Sequence, residues 1–97
     1  MPKGYWIAHV TVKDPEGYKK YMAANAAPFA KYGARFLVRG GKYEVRKGQD
    51  WQRHVILEFD SFERAKACYD SPEYQAAAKI RDAYADVSVA IVEGYHG

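Results

Sequence analysis

The sequence is poor in cysteine and in long apolar segments. Its single cysteine, Cys68, cannot form a disulfide within the chain. No apolar run approaches the roughly 20 residues that cross a bilayer as a helix. The first residues, Met1 to Tyr5, lack the apolar segment of a secretory signal. We therefore expect a cytoplasmic protein with no membrane partner.

A strong charge of one sign and the common nucleotide and metal motifs are also missing. The formal net charge is +3, and the basic residues are interleaved with acidic ones, so no basic stripe could follow a phosphate backbone. The chain has no phosphate-binding loop, no dinucleotide-binding glycine pattern and no zinc-ligand spacing. These absences predict a protein that binds no nucleic acid and holds no tightly bound cofactor or metal.

What the sequence does contain is the composition of one globular domain spanning residues 1–97. Apolar residues make up 48% of the chain and charged residues 28%, a balance typical of folded domains. Nine residues are tyrosine, a side chain suited to surfaces that are apolar on one side and wet on the other. The tyrosine content indicates an interface or a pocket.

Hydrophobic periodicity and capping residues divide the chain into seven segments. Strands are predicted at 5–12, 34–39, 53–59 and 87–93. Helices are predicted to begin after Asp14, Ser61 and Ser71, because each of these residues can cap a helix N-terminus. The first helix should run to about Tyr32, with Gly33 as its C-terminal stop. Its inward residues recur at helical spacing as Tyr18, Tyr21, Met22, Asn25, Phe29 and Tyr32.

Two features should disturb this regular pattern. Pro28 removes a backbone donor, so we expect it to kink or interrupt the first helix. Gly40–Gly41 should form a bulge or bend in the second strand. Residues 43–46 would then extend that strand, and the polar residues 47–50 would form a hairpin turn.

The order β-α-β-β-α(α)-β predicts an α+β fold. Two similar halves, each a strand, a helix and a strand, are the pattern of a ferredoxin-like βαββαβ domain. In that topology the antiparallel sheet has the order 4-1-3-2, and strands one and three are central neighbours. Both helical layers pack on one face of the sheet.

Alternation along the central strands assigns side chains to the two faces of the sheet. The helix-covered face is predicted to carry Ala8, Val10, Val12, Val55, Leu57 and Phe59. The other face, called here the outer face, is predicted to carry Tyr5, Ile7, His9, Thr11, His54, Ile56 and Glu58. Strand four has apolar residues pointing both ways, with Val87, Val89 and Ile91 on one side and Ala90 and Val92 on the other. The outer face is therefore too apolar for water. We therefore expect a homodimer formed through the sheet face, with two sheets packed together.

The polar residues of the outer face are candidates for catalysis. If Ile7 pairs with Ile56, His9 lies opposite His54. In the same register Tyr5 lies opposite Glu58. His9, His54 and Glu58 are the candidate catalytic residues, and the alternative is a set of interface polar groups that bond to each other. His54 and Glu58 are four residues apart on one strand, a distance of roughly 13 Å. They are therefore too far apart to share a metal ion within one subunit.

Several motifs in order along almost the whole chain resemble one family. These are Tyr5-Trp6-Ile7-Ala8, the Asp14-Pro15 helix start, Asn25-Ala26-Ala27-Pro28-Phe29, Phe36-Leu37-Val38-Arg39-Gly40-Gly41, Glu58-Phe59, Ser71-Pro72-Glu73-Tyr74 and Val92-Glu93-Gly94. The chain resembles domain-of-unknown-function family 1330, within the dimeric α/β-barrel superfamily. The resemblance implies a ferredoxin-like protomer and a β-barrel dimer, and it favours a role for Arg39. It brings no reaction with it.

Four further residues are candidates for ligand binding. Arg39 and Gly40 could present a guanidinium and bare backbone N–H groups to an anion, or belong to a bulge that lets the strand curve. Asn25 could point into a pocket or bond a carbonyl freed by Pro28. Tyr5 on the outer face is the fourth candidate for ligand binding.

Three hypotheses about function follow. The first is a homodimer with a small-molecule pocket, acting as an enzyme or a ligand carrier. The second is a non-catalytic dimeric module whose polar residues fix its register. The third, from analogy with relatives in the superfamily, is monooxygenase-like or haem-binding activity. For haem the chain offers only three histidines, one of which, His96, is expected in a C-terminal tail.

Overall fold

The fold is known from a computed structural model that describes residues 2–95. His96, which is predicted to lie in a C-terminal tail, is outside the described residues. The elements in chain order are β1 (Gly4–Val12), α1 (Pro15–Tyr32), β2 (Arg35–Arg39), β3 (Arg53–Phe59), α2 (Phe62–Asp70), α3 (Pro72–Tyr84) and β4 (Ala85–Glu93). Within residues 2–95, no helix has both the length and the apolar character needed to cross a membrane.

The four strands form one antiparallel sheet with the order β2-β3-β1-β4. This is the predicted order 4-1-3-2 read from the opposite edge, so the ferredoxin-like α+β fold is confirmed. The predicted register is confirmed as well, because Ile7 pairs with Ile56. β1 and β3 lie in the centre of the sheet, and the helices cover one of its faces.

The predicted caps set the helix boundaries. The Asp14 carboxylate accepts hydrogen bonds from the backbone N–H groups of Glu16 and Gly17. The Ser61 and Ser71 hydroxyls accept in the same way at the starts of α2 and α3. Each cap satisfies donors that the first helical turn leaves free.

The two predicted disturbances differ in outcome. α1 runs without interruption through Pro28, contrary to the possibility of a break, because the buried neighbours Asn25 and Phe29 hold the helix against the rest of the protein. The predicted bend lies at Gly40, directly after the end of β2, and the register of β2 shifts between Phe36 and Val38. Gly40 has a φ of 67°, which favours glycine.

The predicted strand extension at residues 43–46 is wrong. Residues 40–52 form a loop without regular structure. β3 begins only at Arg53, and its pairing with β2 ends at Arg39 and Val55. If the pairing of β2 with β3 continued, residues 43–46 would lie opposite the polar turn residues. Residues 43–46 therefore have no partner strand.

The core lies between the sheet and the helices and is built around Trp6. This side chain is 2% exposed, and its indole N–H donates to the Ala65 carbonyl at 2.8 Å. Four rings surround it with centroid distances of 4.8–5.3 Å, from Phe29, Phe59, Tyr69 and Tyr74. Most of these contacts are edge-to-face, the arrangement that aromatic rings prefer.

The central role of Trp6 predicts a selective loss of stability. Trp6→Phe leaves the buried Ala65 carbonyl without its donor, and the free energy of unfolding should fall by about 1–3 kcal/mol. Trp51→Phe is the matched control, because Trp51 is half-buried on the loop, and its effect should stay within about 0.5 kcal/mol. Urea denaturation at fixed protein concentration measures both. Equal losses in the two variants would contradict this account of the core.

Candidate functional site

The structure divides the predicted site residues between the two faces of the sheet. Asn25 and Arg39 line a cavity between the sheet and the helices. Gly40 lies beside that cavity, against the Arg53 guanidinium. The remaining candidates lie together on the outer face, as paired residues of β1 and β3: Tyr5, His9, His54 and Glu58. The sequence therefore identified members of two sites, one on each side of the sheet.

An apolar row crosses the middle of the outer face. Val38 of β2 pairs with Ile56, which pairs with Ile7, which in turn pairs with Ala90 of β4. Directly paired residues of antiparallel strands point to the same face. No helix covers this row, and Val92 beside it is 41% exposed. The outer face thus presents a continuous apolar strip across all four strands.

A hydrogen-bonded carboxylate lies on one side of the apolar row. The Tyr5 hydroxyl donates to Glu58 Oε2 at 3.0 Å, and Arg35 Nε donates to Glu58 Oε1 at 3.1 Å. These two bonds, from Tyr5 first and Arg35 second, hold the pKa of the Glu58 carboxyl below its ordinary value of 4.5. Arg35 also binds Asp60 and lowers its pKa. Glu58 is therefore an ionised partner of this network and unsuited to act as a proton donor near neutral pH.

A pair of histidines lies on the other side of the row. The Nδ1 atoms of His9 and His54 are 2.9 Å apart, so one ring donates its proton to the other. Tyr43 packs against His54 with ring centroids 4.7 Å apart, and Trp51 stacks on His9 at 6.2 Å. The loop of residues 40–52 thus covers the histidine pair. The pair uses one nitrogen of each ring, and His54 Nε2 is buried with no hydrogen-bond partner within residues 2–95.

The candidate catalytic residues do not converge on one point. Within residues 2–95, no group of three His, Cys, Asp or Glu side chains is placed to hold a metal ion. His9 and His54 are bonded to each other, whereas Glu58 lies four pairs further along the strands.

The cavity lies on the helix-covered side, above the small side chain of Ala8. The enclosed part of the cavity has a volume of about 40 Å³. With its open mouth included, the cavity has a volume of about 480 Å³. The first figure is room for a few water molecules. Apolar side chains form most of its wall, among them Trp6, Val10, Met22, Phe29, Phe36, Val55, Leu57, Val87 and Val89.

A buried chain of phenols and a guanidinium forms the polar end of the cavity. The Tyr21 and Tyr74 hydroxyls are 2.7 Å apart, and Arg81 Nη1 donates to the Tyr74 oxygen at 3.0 Å. Because Tyr74 accepts from Arg81, its own proton is free to bond Tyr21. Burial, and then the neighbouring Tyr21, raise the pKa of Tyr74 well above its ordinary range. The Tyr74 phenol therefore stays protonated near neutral pH.

Two further arginines reach the cavity from the strands. Arg39 at the end of β2 stacks over the Phe36 ring, 4.4 Å from its centroid. Arg53 at the start of β3 lies near Tyr18, and its Nε atom is buried with no hydrogen-bond partner in the described part of the chain. Gly40 is needed beside it, because a side chain at position 40 would overlap with the Arg53 guanidinium.

The backbone amide of Gly40 is already used. It donates to the His54 carbonyl at 2.9 Å. The predicted donation from the Gly40 amide to an anion is therefore wrong for this N–H group, and Gly40 instead leaves space for the Arg53 guanidinium. The Arg39 side chain remains available as a donor. Asn25, which is 6% exposed, turns its amide toward the same cavity.

Cys68 takes no part in either site. It is fully buried under α1, where its thiol donates weakly to the Pro28 carbonyl at 3.8 Å. Burial raises the pKa of the Cys68 thiol to about 12, so the reactive thiolate is scarce near neutral pH.

Arg53 and Arg81 were missed by sequence reasoning although the sequence carried a signal for each. Arg53 alternates with Val55, Leu57 and Phe59 and so shares their face. Arg81 lies in the buried stripe of α3 with Tyr74, Ala77 and Ala78, at helical spacing. A charged residue at an inward position of such a pattern indicates a buried polar site.

The lining residues decide what the cavity can do chemically. They supply guanidinium groups, phenols and one amide, all of which donate hydrogen bonds. Among the described residues, the lining contains no carboxylate, imidazole, thiol or amine. The guanidinium groups, phenols and amide can donate hydrogen bonds to an acceptor, and none of them is a typical general base.

Comparisons with known proteins define the family and the fold. The family model described as "Domain of unknown function (DUF1330)" matches residues 3–95. A comparison with curated protein sequences finds no match. A protein of unknown function from Rhodopseudomonas palustris is similar in structure, with a TM-score of 0.78 and 18% identity, covering 99% of this chain and 85% of that one.

Two other solved structures share the fold. SnoaB, a cofactor-independent oxygenase from Streptomyces nogalater, has a TM-score of 0.63 and 15% identity over 100% of this chain and 97% of its own. A dimeric ferredoxin-like protein of unknown function from Thermobifida fusca has a TM-score of 0.58 and 16% identity, covering 95% and 91% of the two chains. At these identities the likeness concerns the fold.

The Glu58 network predicts a dependence of stability on pH. A carboxyl with a lowered pKa in the folded state stabilises the protein fully above its ordinary pKa of 4.5, and this contribution is lost as the pH falls through the lowered value. Wild-type protein should therefore lose more stability than Glu58→Gln when the pH falls from about 6 to about 3. Glu44→Gln, on the exposed loop, is the control and should follow the wild type. Identical profiles for Glu58→Gln and wild type, in denaturation curves at each pH, would contradict the assignment.

Proposed function

The chain belongs to the DUF1330 family, and from its fold and cavity we propose that it is a homodimer that binds a small molecule between its sheet and its helices. The observation that carries the binding role is the cavity wall. It combines an apolar surface with converging donors from three elements, namely Asn25 of α1, Arg39 of β2 and Arg53 of β3. Concave apolar sites with a few directed polar groups are the usual form of ligand pockets.

A binding role agrees better with this lining than a proton-abstracting enzyme does. The Tyr74 phenol is held protonated and guanidinium groups carry fixed positive charge, so neither accepts a proton from a substrate near neutral pH. SnoaB is described as an oxygenase, and the shared fold extends no activity to this chain. A reaction here would need its base from the ligand itself or from outside the cavity.

The dimer is supported by the apolar row on the outer face. The strip consists of Val38, Ile56, Ile7 and Ala90, and no helix within residues 2–95 covers it. Structures of similar fold are described as dimeric. Packing two such sheets face to face removes both strips from water. The Glu58 network and the histidine pair border the strip on either side and would fix its register.

The proposed dimer predicts the effect of a charge in the strip. Ile56→Asp would bury an unpaired carboxylate between the sheets, so the variant should be a folded monomer. Light scattering after size exclusion should give twice 11.0 kDa for wild type and 11.0 kDa for the variant. Lys66→Asp, exposed on α2, is the control and should remain dimeric. An Ile56→Asp protein that keeps the dimer mass would contradict the proposed interface.

The proposed ligand site predicts a role for the Asn25 amide. Compounds that bind in the cavity should raise the melting temperature of wild-type protein, because a ligand stabilises the state that binds it. Asn25→Leu removes an amide at nearly constant volume and should reduce that shift by more than half for every compound found. Lys20→Leu, exposed on the same helix, should keep it. Shifts that are unchanged in Asn25→Leu would place the compounds elsewhere and contradict the proposal.

A further inference from the structure

The charges around the cavity are unbalanced. Three arginines line it, Arg39, Arg53 and Arg81, and no acidic residue does. Arg81 has a carboxylate neighbour, since its Nε donates to Asp82 at 3.0 Å, but the Asp82 side chain is 63% exposed and faces away toward water. Arg39 and Arg53 form no ion pair in the described part of the chain. The cavity therefore concentrates positive charge in a poorly solvated space.

Arg53 shows the consequence most clearly. Its Nε atom is buried and has no hydrogen-bond partner among residues 2–95. A buried donor on a charged group that lacks both a partner and a counter-charge is costly, and such groups in folded proteins usually mark a missing ligand, ion or water. An acceptor with negative charge in the cavity would satisfy it.

The three arginines differ in their contacts. Arg81 is 6% exposed and donates hydrogen bonds to Tyr74, Tyr69 and Asp82. It contributes charge and holds Tyr74 in place. Arg39 is exposed at the cavity mouth and Arg53 lies further in, so these two guanidinium groups are the ones available to a ligand.

The rest of the wall limits the kind of anion. Aromatic and branched aliphatic side chains cover most of the cavity, among them Trp6, Phe29, Phe36 and Val87. A small inorganic anion would leave these surfaces without contact, whereas an organic acid would cover them. The volume of about 40 Å³ inside the mouth has room for only a few water-sized groups, so only a small apolar body fits inside.

We propose that the ligand is a carboxylic acid with a compact apolar body, whose carboxylate binds Arg39 and Arg53 and whose body packs against Trp6 and Phe29. This inference rests on the proposed cavity site and specifies its ligand class. Guanidinium groups bind carboxylates through paired, charge-assisted hydrogen bonds. The Tyr74 and Tyr21 hydroxyls lie at the inner end of the same space.

The experiment compares acids with neutral partners of the same shape. Benzoate is titrated against benzamide, and butyrate against butyramide, by calorimetry and by melting temperature, with sodium sulfate as the inorganic anion. Wild type is compared with Arg53→Met and Arg39→Met, which keep an unbranched apolar stem and lose the charged guanidinium. Arg39 is exposed, so its variant should fold whatever happens at position 53. Arg46→Met, on the exposed loop and paired with Glu44, is the matched control.

We expect each acid to bind wild type at least about tenfold more tightly than its amide, and each cavity variant to lose at least about tenfold in acid affinity. The Arg46→Met control should bind as wild type does. Amides that bind as tightly as acids would overturn the anionic ligand and leave the proposed cavity site standing. Sulfate that binds as tightly as the acids would overturn the organic body. Absence of binding by acids and amides alike would overturn this inference together with the proposed function.

Discussion

The register between β1 and β3 is the constraint on which the rest of the structure depends. Pairing Ile7 with Ile56 places Trp6, Ala8, Val55 and Leu57 under the helices, because alternate residues of a strand point to opposite faces. A slip of one residue would exchange the two faces and put charged and imidazole side chains against the core. The indole of Trp6 secures this register from the other layer, since it is bonded to the Ala65 carbonyl of α2.

One sheet thus carries two different sites. Its helix-covered face holds an arginine-rich cavity, and its outer face holds an apolar strip bordered by two polar networks. The sites are connected by the chain at residues 53–54, where Arg53 points into the cavity and its neighbour His54 points outward. Gly40 lies at the same place, since its amide bonds the His54 carbonyl and its missing side chain leaves room for Arg53. The cavity wall and the outer face therefore meet at adjacent residues.

Sequence patterns predicted what depends on neighbours along the chain. The caps at Asp14 and Ser61, the strand order and the pairing of His9 with His54 follow from local signals combined with one topology. The continuity of α1 through Pro28 depends on packing between distant segments, which overrides a local propensity. The loop of residues 40–52 was misread because β-branched and aromatic residues occur there without a partner strand. Of the polar residues that line the cavity, Asn25 and Arg39 were predicted from the sequence. Arg53 and Arg81 were not, although both occupy inward-facing positions of their strand and helix.

Whether a second copy covers the outer face decides most directly whether this account is right. Sedimentation equilibrium of the wild-type protein, over a range of concentrations, measures the mass without any substitution. The account predicts twice the chain mass of 11.0 kDa down to low concentration, because separating the sheets would return the strip of Val38, Ile56, Ile7 and Ala90 to water. A stable, well-behaved monomer of 11.0 kDa across that range would contradict it.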